Sequence, residues 1–373
     1  MDRVSGSYYD GHRFRQGTIG WEDDVITEVR PSAAKDVLAR GLIVPGLWNA
    51  HTHLGDAVVT QELRGTIEEL VAPPRGLKHR ILAKAKDEAV IAAMRRAMTT
   101  MIRTGVAGFS DFREGGLKGL KLLYAGQAPL PLRGVALGRP VRLSYDPREV
   151  AALLRTCDGI GVSSYVDWPA GELEKLASDA RRARKAFAIH CSERIREDLD
   201  AVLDLKPAFL VHMVRATDAD LERCADANVP IVLCPRSNAF FGTIPDIPRM
   251  RHAGVELWLG TDNAMLNAPS ILREIDFAYR IARLRGEVRP RDIFEMALRG
   301  RKLLDEEAEC RISIGAPADL VVLDRPGGAS GFASVIRATA GDVNLVVVGG
   351  KPWPSVERNE RRRRPRGRPR GTS

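Results

Sequence analysis

The chain alternates short apolar runs with amphipathic segments over most of its length. The apolar runs of the central region are nearly continuous, which is typical of strands buried on both faces of a parallel sheet. Segments with apolar residues at helical spacing separate them, as in residues 87–105 and 147–157. Starting with the run that leads to residue 53, the pattern predicts about eight strands alternating with helices, which favours a (β/α)₈ TIM barrel. No G-x-G-x-x-G follows any of these strands, which argues against a dinucleotide-binding sheet.

Both ends of the chain have a different pattern from the middle. Residues 1–45 contain short alternating segments broken by Gly and Asp turns, and β character returns after residue 306. We therefore expect residues 1–45 and 306–355 to form one small β-sandwich domain, with residues 46–305 as the barrel. From residue 357 onward the chain is rich in Arg, Pro and Gly and has no apolar residues for a core, so we expect residues 356–373 to be a disordered tail.

Composition and charge narrow the class of protein. The hydrophobic content of 44% and charged content of 28% are ordinary for a soluble globular protein. Five cysteines without a C-x-x-C, and the lack of a recognisable secretory signal or membrane-spanning run, favour a cytoplasmic location. The formal net charge is +9, but eight arginines and two glutamates in residues 357–373 supply most of it. The body is only mildly basic, and a general nucleic-acid-binding surface is not implied.

Candidate metal ligands lie where predicted strands end. In LWNAHTHLGD, His51 and His53 would project to the same side of a strand, with Thr52 on the other. Further polar residues follow later strands: His190 with Glu193, then His212, and finally Asp262. The carboxyl ends of barrel strands meet at one mouth. Imidazoles and a carboxylate gathered there suit Zn²⁺ or Fe²⁺, although each histidine alone is more often a core residue.

Six motifs in order give the chain a family resemblance. PGLWNAHTH, HCSE, LVHMV, LCPRSN, LGTDN and GAPADLVVLD together resemble the amidohydrolase superfamily, in the branch of cytosine, guanine and adenosine-type deaminases and triazine hydrolases. The resemblance implies that one divalent metal ion, Zn²⁺ or alternatively Fe²⁺, is bound by four ligands: His51, His53, His190 and Asp262. It also implies that Glu193 shuttles protons and that His212 hydrogen-bonds the substrate or the attacking water. Superfamily members with two metals carry a lysine at the end of the fourth strand, but GIGVSSYVDW has none, which favours a single metal.

The residue types agree with hydrolytic deamination of an N-heterocycle such as a nucleobase, nucleoside or pterin-like ring. A metal with an open position lowers the pKa of a bound water, which can attack an electron-poor carbon. Glu193 can move the proton to the departing amine, Asp262 can steer the water, and His212 can stabilise developing charge. Hydrolysis of a non-peptide C–N bond, in a cyclic amide, an amidine or an imidazolone-like ring, remains an alternative at the same site.

Substrate contacts and partners are less constrained by the pattern. Four polar residues near the predicted mouth are candidates for touching substrate or supporting loops: Asp56, Arg236, Ser237 and Asn238. The partner we expect is a small-molecule substrate; homo-oligomerisation stays open. The tail contains PRGRP, which resembles an AT-hook core, so a nucleic-acid-associated protein is the alternative of another class, although weak polyanion binding is the simpler interpretation. The long connection 54–82 has a length typical of a functional lid or binding loop, and its His79 is expected at the surface.

Overall fold

The computed structural model describes residues 1–324 and 331–354. The basic tail and its AT-hook-like segment lie outside the described residues. The strands are β1 (Asp2–Tyr9), β2 (Phe14–Glu22), β3 (Val25–Arg30), β4 (Ala39–Pro45), β5 (Leu47–His53), β6 (Val106–Arg113), β7 (Arg133–Gly138), β8 (Gly159–Val162), β9 (Ala186–Cys191), β10 (Phe209–His212), β11 (Ile231–Leu233), β12 (Leu257–Leu259), β13 (Asp262–Asn263), β14 (Leu320–Leu323), β15 (Val343–Val348) and β16 (Lys351–Pro354).

Helices connect most of these strands. They are α1 (Ile67–Leu70), α2 (Leu77–Leu82), α3 (Asp87–Arg103), α4 (Gly116–Gln127), α5 (Pro147–Thr156), α6 (Glu172–Arg182), α7 (Leu199–Asp204), α8 (Asp218–Asp226), α9 (Pro235–Phe240), α10 (Ile247–His252), α11 (Ile271–Arg285), α12 (Pro290–Met296) and α13 (Gly331–Arg337). None of the helices among these residues is both long and apolar enough to cross a membrane.

The central sheet is the predicted barrel. Strands β5 to β12 pair in parallel with their sequence neighbours, and β13 pairs in parallel with β5. The eighth barrel strand is thus split, with β12 bonded to β11 and β13 bonded to β5. Gly260 lies at the split, where its N–H donates to the Leu233 carbonyl, and a Cβ there would come within 2.8 Å of His51 atoms. A glycine is therefore needed where the sheet closes over the first strand.

Side chains fill the inside of the barrel. Large buried residues from several barrel strands form this inner cluster, among them Trp48, Phe112, Phe209 and Trp258. A separate and larger apolar cluster includes buried residues of the surrounding helices and of the strands. A parallel barrel with a filled interior has a floor, so polar side chains at the carboxyl ends of its strands stand at the bottom of a pocket.

Both chain ends join in a second sheet, as predicted. Its order is β16-β15-β14-β4-β1-β2-β3, so β4, which directly precedes the barrel, pairs with β1 from the amino end and β14 from the carboxyl end. A third apolar cluster, including Ile19, Trp21 and Val322, packs on this sheet. The prediction of a TIM barrel with a small β domain built from both ends is confirmed.

Candidate metal centre and active site

The predicted ligands converge at the mouth of the barrel. The Nε2 atom of His190, on β9, lies 3.2 Å from Nε2 of His51 and 3.3 Å from Nε2 of His53. Oδ1 of Asp262, at the start of β13, lies 3.3 Å from Nε2 of His51 and 3.6 Å from that of His53. One ligand atom from each of the four residues falls within 4.8 Å of all the others. Strand ends far apart in sequence thus present three nitrogens and one oxygen to a common point.

The chemistry of this donor set fits a divalent metal ion. Burial lowers the pKa of His51, of His53 (to about 3) and of His190, so the imidazoles are neutral and able to ligate. Burial alone would raise the pKa of Asp262, but the close contact with His51, whose Nε2 lies 3.3 Å from Oδ1, and the neighbouring histidines hold it well below its usual range. Its Oδ1 is buried and receives no hydrogen bond within the described residues. A buried carboxylate oxygen without a donor is costly unless a cation faces it.

Partners behind the ligands hold them in orientation. His190 Nδ1–H donates to the Val162 carbonyl at 2.8 Å, which places the remaining lone pair of this ring on Nε2, facing the cluster. Nδ1 of His53 lies 2.8 Å from Oε1 of Glu114, so a carboxylate stands directly behind this ring. The Ser237 hydroxyl donates to Oδ2 of Asp262 at 2.5 Å, and Oδ1 stays without a donor among the described residues. Thr52 turns away from the cluster, as expected, and donates to the Ser110 carbonyl at 2.9 Å.

Two further polar side chains adjoin the cluster. Nε2 of His212 lies 3.4 Å from Oε1 of Glu193, and both groups lie close to Asp262. Asn238 Nδ2 donates to Nδ1 of His212 at 3.1 Å, and with this amide orientation the imidazole carries its proton on Nε2. Burial, and then the charge of Asp262, raise the pKa of Glu193. A carboxyl group whose pKa is raised in this way suits proton transfer near neutral pH.

The backbone at these positions is in a rarely used conformation. His212 and Asp262 have positive φ values of 76° and 59°, and Ser192, just before Glu193, has a φ of 49°. Residues other than glycine seldom adopt the left-handed region, and such strain concentrates at functional sites. Each of these residues lies where a barrel strand ends or turns into its loop.

The four predicted substrate contacts lie near the mouth and bond to protein groups. Ser237 and Asn238, in α9, support Asp262 and His212 as described. Arg236 Nε donates to Oε1 of the buried Glu274 at 2.6 Å. Asp56 is buried, and its Oδ1 accepts from the Met265 N–H at 3.1 Å. These bonds favour positioning roles, and direct contact of any of the four with substrate stays a prediction.

A small cavity opens above this cluster of histidines and Asp262, and a lid covers it. The space that a water-sized molecule can occupy there is about 50 Å³. The lid, defined here as residues 66–82, contains α1 and α2 and contributes Ile67, Val71 and Pro73 to the cavity wall. His79 is half-buried within it, and its Nε2–H donates to the Val71 carbonyl at 3.1 Å. The histidine expected at the surface therefore stabilises the fold of the lid.

The sequence did not single out three residues near this cavity. Lys78 of the lid is buried and lies 2.9 Å from Oε1 of Glu114. Arg139, directly after β7, is also buried and lines the cavity. Glu114 directly follows β6, so its position at a strand end could have indicated it. Nothing in the sequence pattern distinguishes Lys78 from the other lysines near it.

Comparisons with known proteins agree with the geometry. The family model for the amidohydrolase family matches residues 42–352. A putative aminohydrolase of Methanothermobacter thermautotrophicus is 32% identical over 356 residues, covering 88% of this chain and 92% of that protein. A 5-methylthioadenosine/S-adenosylhomocysteine deaminase of Halobacterium salinarum is 26% identical, covering 79% of this chain and 76% of that protein.

Solved structures support the fold. An adenosine deaminase from Xanthomonas campestris with bound zinc aligns with a TM-score of 0.80 at 19% identity, covering 94% of this chain and 92% of that one. The chain belongs to the amidohydrolase family, as its motifs predicted, and is a hydrolase of the class that acts on carbon–nitrogen bonds.

Proposed function

We propose that this protein is a mononuclear metal-dependent aminohydrolase that removes an amino group from an N-heterocycle. The observation that carries the proposal is the convergence of His51, His53, His190 and Asp262 beside Glu193 and His212 under one lid. Relatives named as aminohydrolase and as 5-methylthioadenosine/S-adenosylhomocysteine deaminase support the amino group as the leaving group. Three nitrogens and one carboxylate oxygen favour Zn²⁺, with Fe²⁺ as the alternative.

The protein residues divide the work of the reaction. A divalent ion held by the four ligands would lower the pKa of a water molecule and so make it nucleophilic near neutral pH. Glu193 accepts one proton from the attacking water and delivers it to the ring nitrogen, and it then transfers the second proton of that water to the departing amine, which leaves as ammonia while the attacked carbon keeps the oxygen. His212 donates from Nε2 to the oxygen at the attacked carbon, in the tautomer that the bond from Asn238 selects. Overall, one water is consumed and one ammonia leaves.

The end of the fourth barrel strand supports a single ion. Strand β8 runs from Gly159 to Val162, and Ser163 and Ser164 follow it at the cavity wall. A second metal in this superfamily would need a carboxylated lysine there, and the strand and these two serines offer none. The binuclear chemistry of hydantoinase-like relatives is therefore not what we propose.

Ammonia release across a substrate panel tests the proposal. Metal-loaded protein is incubated with amino-substituted nucleobases, nucleosides and pterins, and ammonia and product masses are recorded. We expect ammonia from at least one of them, and no turnover by Glu193→Gln although this variant keeps its metal. Silence on the whole panel would contradict deamination, and a product that retains every nitrogen atom would indicate ring opening at a C–N bond instead.

A further inference from the structure

A buried ammonium group stands beside the reaction centre. Lys78 lies in α2 of the lid and is only 3% exposed. Its Nζ lies 2.9 Å from Oε1 of Glu114 and donates to Oδ1 of Asn263 at 3.1 Å. Glu114 holds the metal ligand His53, and Asn263 directly follows Asp262. The positive charge of Lys78 thus contacts one neighbour of each of two predicted ligands, His53 and Asp262.

This ammonium group has a donor left over. A lysine side chain carries three N–H donors, and two acceptors are found around Lys78 within the described residues. The same side chain lines the cavity that His190 and Glu193 also line. A buried donor without an acceptor costs free energy. A ligand that offers an oxygen at this position relieves that cost.

The remaining wall of the cavity points to the same kind of ligand. Arg139 is 8% exposed, and its side chain makes no hydrogen bond or ion pair with the described part of the chain. The Ser163 hydroxyl is buried there and also lacks a partner among these residues. Asp167, the other carboxylate of the wall besides those of the reaction centre, is bonded to Arg194 at 2.8 Å. The groups of this wall with hydrogen-bond donors left over thus include two cations, Lys78 and Arg139, and the Ser163 hydroxyl.

The shape of the cavity limits the size of that ligand. Ile67, Val71 and Pro73 of the lid give it an apolar roof, which suits the face of a flat ring. Its space of about 50 Å³ is far below the roughly 300–1,000 Å³ of pockets for drug-sized molecules. Glu193 and Asp262 belong to the reaction centre and Asp167 is paired with Arg194, so the described wall offers few acceptors for the hydroxyls of a sugar. A single small ring with an acceptor oxygen fits these features better than a nucleoside.

We propose that Lys78 is a specificity-determining residue that binds an acceptor oxygen, either a neutral oxo group or an anionic oxygen, on a small amino-substituted ring. The protein therefore prefers such rings to the same rings without the oxygen, and to their nucleosides. This inference rests on the proposed function for the amino group that is removed, but the binding preference is measurable without turnover.

Matched ligand pairs test the preference. The metal-loaded Glu193→Gln variant, which is expected not to turn over, is titrated by calorimetry with cytosine against 4-aminopyrimidine, isocytosine against 2-aminopyrimidine, and guanine against 2-aminopurine. Cytidine is the nucleoside probe. We expect at least one oxo member to bind about tenfold tighter or more than its partner, since a hydrogen bond from a charged donor is lost without the oxygen. Cytidine should bind more weakly than cytosine.

Variants at Lys78 assign the preference to this side chain. In the same background, Lys78→Met should weaken the oxo member about tenfold and leave its partner within about twofold. Lys78→Arg should keep part of the preference, and Lys84→Met, an exposed lysine just after α2, should change nothing. Metal content and melting temperature are recorded for each variant. If Lys78→Met does not fold, the paired titrations of the Glu193→Gln protein still decide the ligand class. Lys78→Arg then tests whether the side chain at position 78 sets the preference.

Two results would overturn the inference. One is equal binding, or no binding, of both members of every pair by the parent protein. The other is equal weakening of both members by Lys78→Met, which would reduce the lysine to packing of the lid. An oxo preference that depends on Lys78, with no ammonia from any substrate, would instead uphold this inference and contradict the proposed function. Ammonia release without a preference for the oxo members would uphold the proposed function and contradict this inference.

Discussion

The Nδ1 atom of His53 lies 2.8 Å from Oε1 of Glu114, which also lies 2.9 Å from Nζ of Lys78. Arg113 donates to the other carboxylate oxygen of Glu114. Burial alone would raise the pKa of Glu114, but Lys78 and the other neighbours hold it well below its usual value. An ionised carboxylate behind His53 fixes the ring orientation and increases the basicity of Nε2.

Replacing Glu114 by Gln should therefore weaken metal binding. We expect a loss of about 10–100-fold in affinity, the usual effect of removing a carboxylate behind a histidine ligand. Competition with a chelator of known affinity measures it, and Glu88→Gln, at an exposed position on α3, is the control. Unchanged affinity in Glu114→Gln would show that His53 does not need this partner or is not a ligand.

His190 in β9 and His212 at the end of β10 should differ in function, one as a metal ligand and the other as a donor to the substrate. His190→Gln removes one of the four predicted ligands, so this variant should bind little metal when less than one metal ion per chain is added. His212→Gln should keep the metal and lower kcat by about 100-fold or more, because a donor to the reacting oxygen is lost. Metal analysis and steady-state kinetics measure both. Loss of metal in His212→Gln would make His212 a ligand and contradict the assignment.

Arg236 is expected to matter for stability more than for substrate binding. Its guanidinium lies against the buried Glu274, and Arg236→Gln would leave that carboxylate without its ion-pair partner. We expect a loss of roughly 3 kcal/mol in the free energy of unfolding, with KM little changed. Urea unfolding measures this, with the exposed Arg273→Gln as the control. A large rise in KM with unchanged stability would restore Arg236 as a substrate contact.

The ion pair between Arg196 and Asp220, which does not line the cavity, should make the stability of the fold sensitive to acid. Two hydrogen bonds from Arg196, each 2.7 Å long, lower the pKa of Asp220 from 3.8 to about 2. Because the folded-state pKa is depressed, the charged carboxylate stabilises the fold above about pH 4, and this contribution disappears as the pH falls towards 2. Asp220→Asn should be less stable than the parent protein at pH 7, by a margin that shrinks in this window.

Thermal unfolding across pH checks this prediction. The exposed Glu222→Gln on the same helix is the control, and it should follow the parent protein at every pH. A constant difference between Asp220→Asn and the parent protein from pH 7 to pH 2 would mean that the ion pair does not contribute as stated.

The barrel and the cluster of predicted metal ligands could be predicted from the sequence because both follow from local patterns of apolar and polar residues. Apolar runs define the strands, and a polar residue at a strand end must stand at the mouth. His51, His53, His190 and Asp262 were found in this way, and the structure brings them together. Their roles as ligands remain proposals until metal is measured.

The polar residues around the cluster could not be predicted in the same way. Ser237 and Asn238 lie near the mouth as expected, but their bonds to Asp262 and His212 depend on how α9 turns after β11. Lys78 lies in a connection without periodicity, and its burial results from the folding of the lid over the barrel. Such tertiary contacts leave no mark in a single sequence.

Titration of metal into metal-free protein, with ammonia release recorded at each addition, tests the central claim most directly. The substrate is any ring that the panel identifies. We predict that the rate rises in proportion to bound metal and saturates at about one ion per chain, as a four-ligand site requires. Glu193→Gln should bind the same amount of metal and release no ammonia at any point. A rate that is independent of metal, that needs a second equivalent, or that persists in Glu193→Gln would contradict this account.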